Sequence, residues 1–173
     1  MPEQESSGAE VSWADDTVLL FHGTTLPSAQ DILMRGVDIQ RCKPKRDFGR
    51  GFYATTSIRQ AKDFAIKKAI ASQIHPAVIQ LAVDRRRLSR LAALAFVRGD
   101  KDAQDYWNFI VNCRSGRSHR LVPPAYYDVV YGPVAVSWDS PLLRFVIANF
   151  DQVSFHTDEA QLLLNESPKE MVL

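Results

Sequence analysis

Two short apolar segments in the first third of the chain each adjoin a glycine, and each is followed by a helical pattern. The first, TVLLFHG (17–23), is an aliphatic and aromatic run closed by Gly23, which favours a buried strand. The second, GFYATTS (51–57), opens at a glycine and is rich in β-branched and aromatic residues, which also favours a strand. This repeated order restricts the chain to folds that combine a sheet with helices.

The helical patterns that follow these strands have recognisable ends. In LPSAQDILMRGV, Pro27 and Ser28 suit a helix start and Gly36 suits its end. The segment IRQAKDFAIKKAIASQ (58–73) places apolar residues at helical spacing. Both strands are therefore predicted to lead directly into helices.

The remaining segments predict one further helix, several strands and a terminal helix. AVIQLAV (77–83) favours a strand, whereas RRRLSRLAALAFVRG (85–99) favours a helix with Leu88, Leu91, Ala92 and Ala95 facing inward. Further strands are predicted in four runs, namely YWNFIVNC (106–113), AYYDVVYGPVAV (125–136), LRFVIANF (143–150) and QVSFH (152–156). A short helix is expected at DEAQLLLN (158–165). The pattern predicts an α+β fold with helices mainly from the N-terminal half.

Composition limits the size and setting of this fold. A chain of 173 residues with 46% hydrophobic and 24% charged residues predicts one soluble domain with its own core. The formal net charge of +1 gives no global electrostatic argument for a nucleic-acid or membrane-surface protein. Cys42 and Cys113 lack zinc-ligand spacing, and two cysteines are too few for a disulfide scaffold. We therefore expect a cytoplasmic protein without a bound metal.

The two ends of the chain are expected to differ in order. Residues 1–16 are acidic and polar and lack the basic start and apolar core of a signal peptide, so we predict a disordered leader there. Residues 17–173 are predicted to form a single domain. No segment approaches the roughly 18 consecutive apolar residues that a membrane helix needs, which favours a protein without a membrane partner.

The strand ends carry the residues that point to chemistry. His22 ends the first strand beside Gly23, where a ligand can approach the backbone closely, and Thr24 adds a hydroxyl. Tyr53 lies near the start of the second strand, after a turn that contains Arg50 between two glycines. Taken singly, each of these residues has an ordinary structural interpretation. A histidine and a tyrosine at the ends of two glycine-associated strands form a more specific pair.

This pair, in FHGTT…A..IL..GV followed by RDFGRGFYATTS…A..FA, resembles the first two motifs of the ADP-ribosyltransferase superfamily, in the branch of the poly-ADP-ribose polymerases and diphtheria toxin. More narrowly, the chain from about Val18 to Leu164 is similar to small bacterial single-domain members. The resemblance implies a split β-sheet core and NAD+ as co-substrate. It also implies a role for three residues. His22 would hydrogen-bond the adenine ribose, the main chain at Gly23 would hold the carboxamide, and Tyr53 would stack on the nicotinamide ring.

The third motif of this superfamily is a strand that opens with glutamate. Aligning it on DQVSFH places Gln152 at the glutamate position, so His22, Tyr53 and Gln152 are the implied catalytic residues. A neutral Gln152 can accept a ribose hydrogen bond but supplies no negative charge to the oxocarbenium-like transition state. Further NAD+ contacts are expected from one group of residues: Thr24, Arg46, Arg50, Gly51 and Ser57.

The resemblance leaves three functions open. The first is transfer of ADP-ribose to an acceptor, which we expect to be a protein, with nucleic acid as the alternative. The second is an NAD+ glycohydrolase, in which water attacks the same ribose carbon. The third is an inactive NAD-binding or interaction module, in which Gln152 marks lost activity. A small transferase of this kind also fits a toxin or effector neutralised by an antitoxin or immunity partner.

Overall fold

A computed structural model of the protein describes residues 16–97, 104–117, 127–137 and 146–173. The first half alternates strands and helices: β1 (Thr17–Thr25), α1 (Leu26–Arg35), β2 (Phe52–Ala54), α2 (Ile58–Ser72) and β3 (Pro76–Asp84). The second half has more strand: α3 (Arg85–Leu88), β4 (Ala93–Ala95), α4 (Gln104–Arg114), β5 (Val129–Ser137), β6 (Val146–Phe155), α5 (Asp158–Glu166) and β7 (Lys169–Met171). This content confirms the α+β class. The predicted leader, except for Asp16, lies outside the described residues.

The strands form two sheets that meet at one edge. β1, β3 and β7 form an antiparallel sheet in the order β1-β3-β7. The other sheet has the order β2-β6-β5-β4, with β4 parallel to β5 and the other pairs antiparallel. Phe21 of β1 and Thr55, just after β2, exchange two backbone hydrogen bonds of 2.7 and 3.0 Å. The sheets are therefore joined beside His22 and Tyr53. His22 lies inside β1 and not at its end as predicted, because pairing with β3 extends β1 to Thr25.

Small residues allow α2 to lie close to the first sheet. Its buried face consists of alanines, Ala61, Ala65 and Ala69. A Cβ atom added to Gly23 of β1 would lie 2.1 Å from the carbonyl oxygen of Ala61, which is far inside van der Waals contact. Gly23 is thus required by the packing of α2 on β1, whatever its role towards a ligand.

Two predictions of secondary structure are wrong. The predicted helix over 85–99 is a single turn, α3, followed by β4, because Ala93–Ala95 pairs with Val129–Tyr131 at the edge of the second sheet. The predicted strand 106–113 is instead part of helix α4. Its buried residues Tyr106, Ile110 and Cys113 have helical spacing, and Tyr106 and Ile110 join an aromatic core with Phe48.

The last strands also differ from the prediction in their limits. Of the two predicted runs, 143–150 and 152–156, the described part forms one continuous strand, β6. Residues 143–145 lie outside the described residues. Strand β7 was not predicted, since three residues carry too little pattern, and it adds a short edge to β3. Helix α5 begins at Asp158, as expected, after Thr157 caps it by accepting a hydrogen bond from Ala160 N–H at 3.3 Å.

Candidate ligand-binding cavity

A cavity of about 660 Å³ opens beside the junction of the two sheets. This volume falls within the roughly 300–1,000 Å³ of small-molecule and cofactor sites. His22 from β1, Tyr53 from β2 and Gln152 from β6 all line it. Tyr53 pairs with Ser154 on β6, so Gln152, two residues along that strand, lies on the same face of the sheet as Tyr53. The structure thus brings the three implied catalytic positions to one cavity.

His22 is held as a neutral ring in a defined tautomer. Its Nδ1 lies 2.6 Å from the carbonyl oxygen of Tyr53, and its ring stacks on Phe52 with 4.4 Å between centroids. A carbonyl oxygen only accepts, so Nδ1 carries the proton and Nε2 is left as an acceptor. Burial lowers the pKa of His22 to about 4; the bond to Tyr53 opposes this shift and the charge of Lys68 adds to it. At neutral pH the imidazole can therefore accept a hydrogen bond from a ligand hydroxyl.

Tyr53 uses its hydroxyl within the protein. The hydroxyl donates to the carbonyl oxygen of Gly49 at 2.8 Å and accepts from the backbone N–H of Phe48 at 2.9 Å. Burial raises the pKa of Tyr53 well above its usual value. Since the hydroxyl is committed to the preceding loop, the aromatic ring is the part of Tyr53 that can serve a ligand.

Gln152 forms a hydrogen bond with a buried carboxylate that was not predicted from the sequence. Its Nε2 donates to Oδ2 of Asp47 at 2.7 Å. Asp47 is only 4% exposed and forms an ion pair with Arg114 of α4. The backbone N–H of Ala135 also donates to Asp47, at 3.0 Å. The partners of Asp47 lie 67 to 105 residues away in the chain, so no local motif could have indicated this cluster.

Part of the cavity lining is a cationic wall. It contains Lys43, Arg46, Lys67 and Lys68, whereas Arg41 and Arg114, which also line the cavity, pair with Asp31 and Asp47. Lys68 donates to Oγ1 of Thr24 at 3.3 Å. Burial lowers the pKa of Lys68, and the neighbouring charges of Arg46 and Lys43 lower it further. Like charges this close favour an anionic ligand, because an anion relieves their mutual repulsion.

Acidic residues reduce the positive charge of this wall in part. Asp31, Asp38 and Asp63 also line the cavity. Asp31 forms ion pairs with Arg35 and with Arg41, the latter at 2.8 Å, so its charge is offset locally. Asp38 accepts a hydrogen bond from the backbone N–H of Gln40 at the start of a short 3₁₀ turn.

One family model matches most of the chain. A family model described as "Protein of unknown function (DUF3990)" matches residues 18–162. The chain belongs to the DUF3990 family. No curated protein matches it. The matched part of this DUF3990 chain contains His22, Tyr53 and Gln152, together with Asp47 and Arg114.

Four of the other expected NAD+ contacts line the cavity in this DUF3990 domain: Gly23, Thr24, Arg46 and Gly51. A Cβ atom at Gly51 would lie 2.7 Å from the carbonyl oxygen of Phe155, so this glycine is needed for the close approach of β2 to β6. Thr24 is 1% exposed, and its hydroxyl accepts from Lys68.

Arg50 and Ser57 are not among the described residues that line the cavity, so their expected contact with NAD+ stays a prediction. The guanidinium of Arg50 donates to the backbone carbonyls of Gln40 and Cys42, the latter at 3.1 Å, and thereby ties the loop before β2 together. Ser57 caps α2 by accepting a hydrogen bond from Gln60 N–H at 3.3 Å. Besides Arg46, the cations that line the cavity are Lys43, Lys67 and Lys68, together with the ion-paired Arg41 and Arg114.

Two further findings concern metals and membranes. Among the described residues of this DUF3990 chain, no group of three or more His, Cys, Asp or Glu side chains could hold a metal ion. No helix in the same residues combines the length and the apolar character that crossing a membrane requires.

Proposed function

We propose that this domain binds NAD+ in the cavity and transfers its ADP-ribose to an acceptor, with release of nicotinamide. The observation that carries the proposal is the convergence of a neutral His22, the Tyr53 ring and Gln152 on one cavity with a cationic wall. These are the three motif positions of the ADP-ribosyltransferase superfamily that the sequence resembles. They lie 31 residues apart or more in the chain, so their meeting is a property of the fold.

The polar groups of the cavity suit the two halves of NAD+. Nε2 of His22 accepts, as a ribose hydroxyl requires. The Tyr53 ring can stack on nicotinamide, which is worth about 0.5–1.5 kcal/mol beyond the buried area. Arg46 and Lys68 provide the cationic donors that a pyrophosphate needs, Arg46 as a planar fork and Lys68 as a point charge.

The reaction breaks the bond between the ribose C1′ and the nicotinamide nitrogen. The bonding pair leaves with nicotinamide, and positive charge develops on the ribose. A nucleophilic atom of the acceptor then bonds to C1′ and releases its proton to solvent. The amide oxygen of Gln152 can stabilise the ribose through its partial negative charge, which is weaker than that of a carboxylate but is held in place in a half-buried site.

The test is incubation of the purified protein with NAD+ labelled in its adenylate half, with and without cell extract. Nicotinamide release and label on a macromolecule are followed together. We expect both, and we expect Tyr53→Ala and His22→Ala to reduce them, whereas Lys62→Met should not, since Lys62 lies on α2 outside the residues that line the cavity.

Other outcomes distinguish the alternatives. Nicotinamide release with labelled ADP-ribose free in solution indicates the glycohydrolase. Binding of NAD+ without release indicates an NAD-binding module. A folded protein that neither binds nor consumes NAD+ overturns the proposal.

A further inference from the structure

We propose that Asp47 is a positioning residue that holds the Gln152 amide with its oxygen available to the ligand. This inference rests on the proposed function, because it concerns how a neutral side chain could serve at the position where the superfamily has glutamate. It assigns a role to a buried carboxylate that no motif contains.

Both oxygens of Asp47 are occupied in a way that fixes its orientation. Oδ1 accepts from Arg114, through Nε at 2.8 Å and through Nη2. Oδ2 accepts from Ala135 N–H at 3.0 Å and from Gln152 Nε2 at 2.7 Å. The carboxylate is thus held from α4, β5 and β6 at once. A group held from three elements has little freedom to turn when a ligand binds.

The fixed carboxylate decides which end of the Gln152 amide meets it. A carboxylate only accepts, so the amide nitrogen faces Asp47 and the oxygen Oε1 is directed away from it. The nitrogen is held a second time by a longer contact of 3.4 Å to the carbonyl oxygen of Pro133. Without Asp47, the amide could present its N–H groups to the ligand, which would repel the positive charge that develops on the ribose. The hydrogen bond to Asp47 therefore leaves the amide oxygen of Gln152, and not its N–H groups, to face the ligand.

Arg114 limits what Asp47 can contribute. Its guanidinium neutralises the carboxylate, and its side chain is 24% exposed. The cluster as a whole therefore brings no net charge to the cavity, and the contribution of Asp47 is orientation.

The same geometry predicts that Gln152→Glu would not raise kcat at every pH, although it introduces the superfamily's glutamate. An ionised glutamate in place of Gln152 would bring a second carboxylate within hydrogen-bonding distance of Asp47, so the two would share one proton and titrate as a pair. In its protonated form the introduced side chain can donate to Asp47 as the amide of Gln152 does.

Several titratable groups of the described residues lie near this pair. Besides Arg114 they include Tyr53, Tyr106, Cys113 and Asp151, and Arg46 precedes Asp47 and lines the same cavity. Burial keeps the two tyrosines and the cysteine neutral by raising their pKa values, to about 12 for Cys113. Among the described residues, Arg114 is the cation that forms an ion pair with Asp47.

The first experiment compares nicotinamide release by Gln152→Glu and by the double variant Asp47→Asn/Gln152→Glu across pH. In the single variant, kcat should fall as pH rises and the shared proton is lost, because the ionised side chain is pushed from its position. The double variant has a single carboxylate and should lack this fall, with kcat at pH 8 about tenfold or more above that of the single variant. Identical pH profiles for the two variants overturn the inference.

The second experiment observes the amide directly and does not depend on activity. In protein labelled with ¹⁵N at glutamine side chains, the Gln152 NH₂ signal, assigned by its loss in Gln152→Leu, should exchange slowly with solvent. Asp47→Asn should speed this exchange, since a neutral acceptor binds the amide less tightly. Asp151→Asn is the matched control: this carboxylate accepts from the Tyr131 hydroxyl at 3.0 Å and adjoins Gln152 on β6. Equal exchange in wild type and Asp47→Asn contradicts the inference.

These readouts separate the two proposals. If wild type binds NAD+ but releases no nicotinamide, the proposed function fails while the exchange measurement still decides the role of Asp47. If wild type is active and Asp47→Asn has unchanged kcat and unchanged amide exchange, the function stands and the positioning role is wrong. Melting temperatures of all variants establish that they are folded.

Discussion

His22 shows how the fold sets the chemistry of a single side chain. The carbonyl oxygen of Tyr53 fixes its tautomer, and burial keeps it neutral down to about pH 4 by lowering its pKa. Its usual pKa is about 6.5, so folded and unfolded chains differ in protonation between these values. The side chain thus couples the stability of the protein to pH.

This coupling predicts a change in acid sensitivity for His22→Asn. Below pH 6.5 the unfolded chain binds a proton at this position and the folded chain does not, so the free energy of unfolding falls as pH drops from 6.5 towards 4. His22→Asn removes this dependence and keeps an N–H that can donate to Tyr53. Urea denaturation at several pH values gives the free energy of unfolding at each pH. Between pH 4 and 6.5 this free energy should change less with pH in the variant than in wild type. The same pH dependence in both proteins would mean that His22 takes up its proton in the folded chain as it does in the unfolded chain, which would contradict the lowered pKa.

The two functional parts of Tyr53 can be separated by substitution. Tyr53→Phe leaves Phe48 N–H and the Gly49 carbonyl without the hydroxyl, which should lower the free energy of unfolding by about 1–3 kcal/mol, since both are buried. Affinity for NAD+ should remain, because the ring remains. Tyr53→Ala should weaken that affinity by at least about 0.5–1.5 kcal/mol. Denaturation and calorimetry measure the two effects; equal loss of affinity in both variants would contradict the assignment of stacking to the ring.

For single residues, the sequence indicated which side chains line the cavity better than it indicated their hydrogen-bond partners. His22, Tyr53 and Gln152 were singled out by the superfamily motifs that the sequence resembles, and all three line the cavity. Asp47 was not, since a buried acid is recognised by its distant partners. The carbonyl partners of Arg50 were not predicted either, because a loop arginine can reach a phosphate or a carbonyl equally well, and the fold places carbonyls beside it.

Single elements were predicted where local pattern and tertiary packing agree. Helices α1 and α2 were correct because proline, glycine and alanine spacing suit a helix lying on a sheet. The alanines and leucines of 85–99 also favour a helix, but strand β5 offers an edge and Ala93–Ala95 pairs with it, so packing overrides propensity. In α4 the aromatic composition indicated a strand, although the spacing of Tyr106, Ile110 and Cys113 was helical.

The contact of α2 with β1 gives a prediction for Gly23→Ala. The added methyl group would lie 2.1 Å from a backbone carbonyl, so the helix and the strand must separate. Overpacking of this kind costs about 1–3 kcal/mol or more. Thr17→Ala, at the exposed end of the same strand, should change stability by less than about 0.5 kcal/mol. Denaturant titration compares them, and equal stability of the two variants would show that α2 does not pack closely on β1.

Across the whole molecule, the cavity joins two sheets whose chemistry differs. The first sheet with α2 contributes His22 and the cation Lys68, and the second contributes Tyr53 and Gln152 with Asp47 behind it. A ligand that spans the cavity would therefore contact groups from both sheets. The formal net charge of +1 did not indicate the cations of this cavity, because acidic residues elsewhere in the chain balance them.

The cationic wall predicts that NAD+ binding depends on salt. Affinity should fall as ionic strength rises, and Lys68→Met should weaken binding and reduce this dependence, because one screened contact is removed. Lys62→Met, on the same helix but not lining the cavity, should leave both unchanged. Calorimetric titrations at low salt and at several-fold higher salt make the comparison. The same salt dependence in wild type and Lys68→Met would exclude Lys68 from the phosphate contacts.

The most direct test of the account is a calorimetric titration of NAD+ into the purified protein. We expect binding at one site per chain, weakened in His22→Ala and Tyr53→Ala and unchanged in Lys62→Met. That result would establish the cavity as a dinucleotide site. A folded wild-type protein that gives no binding signal with NAD+ would contradict the central claim.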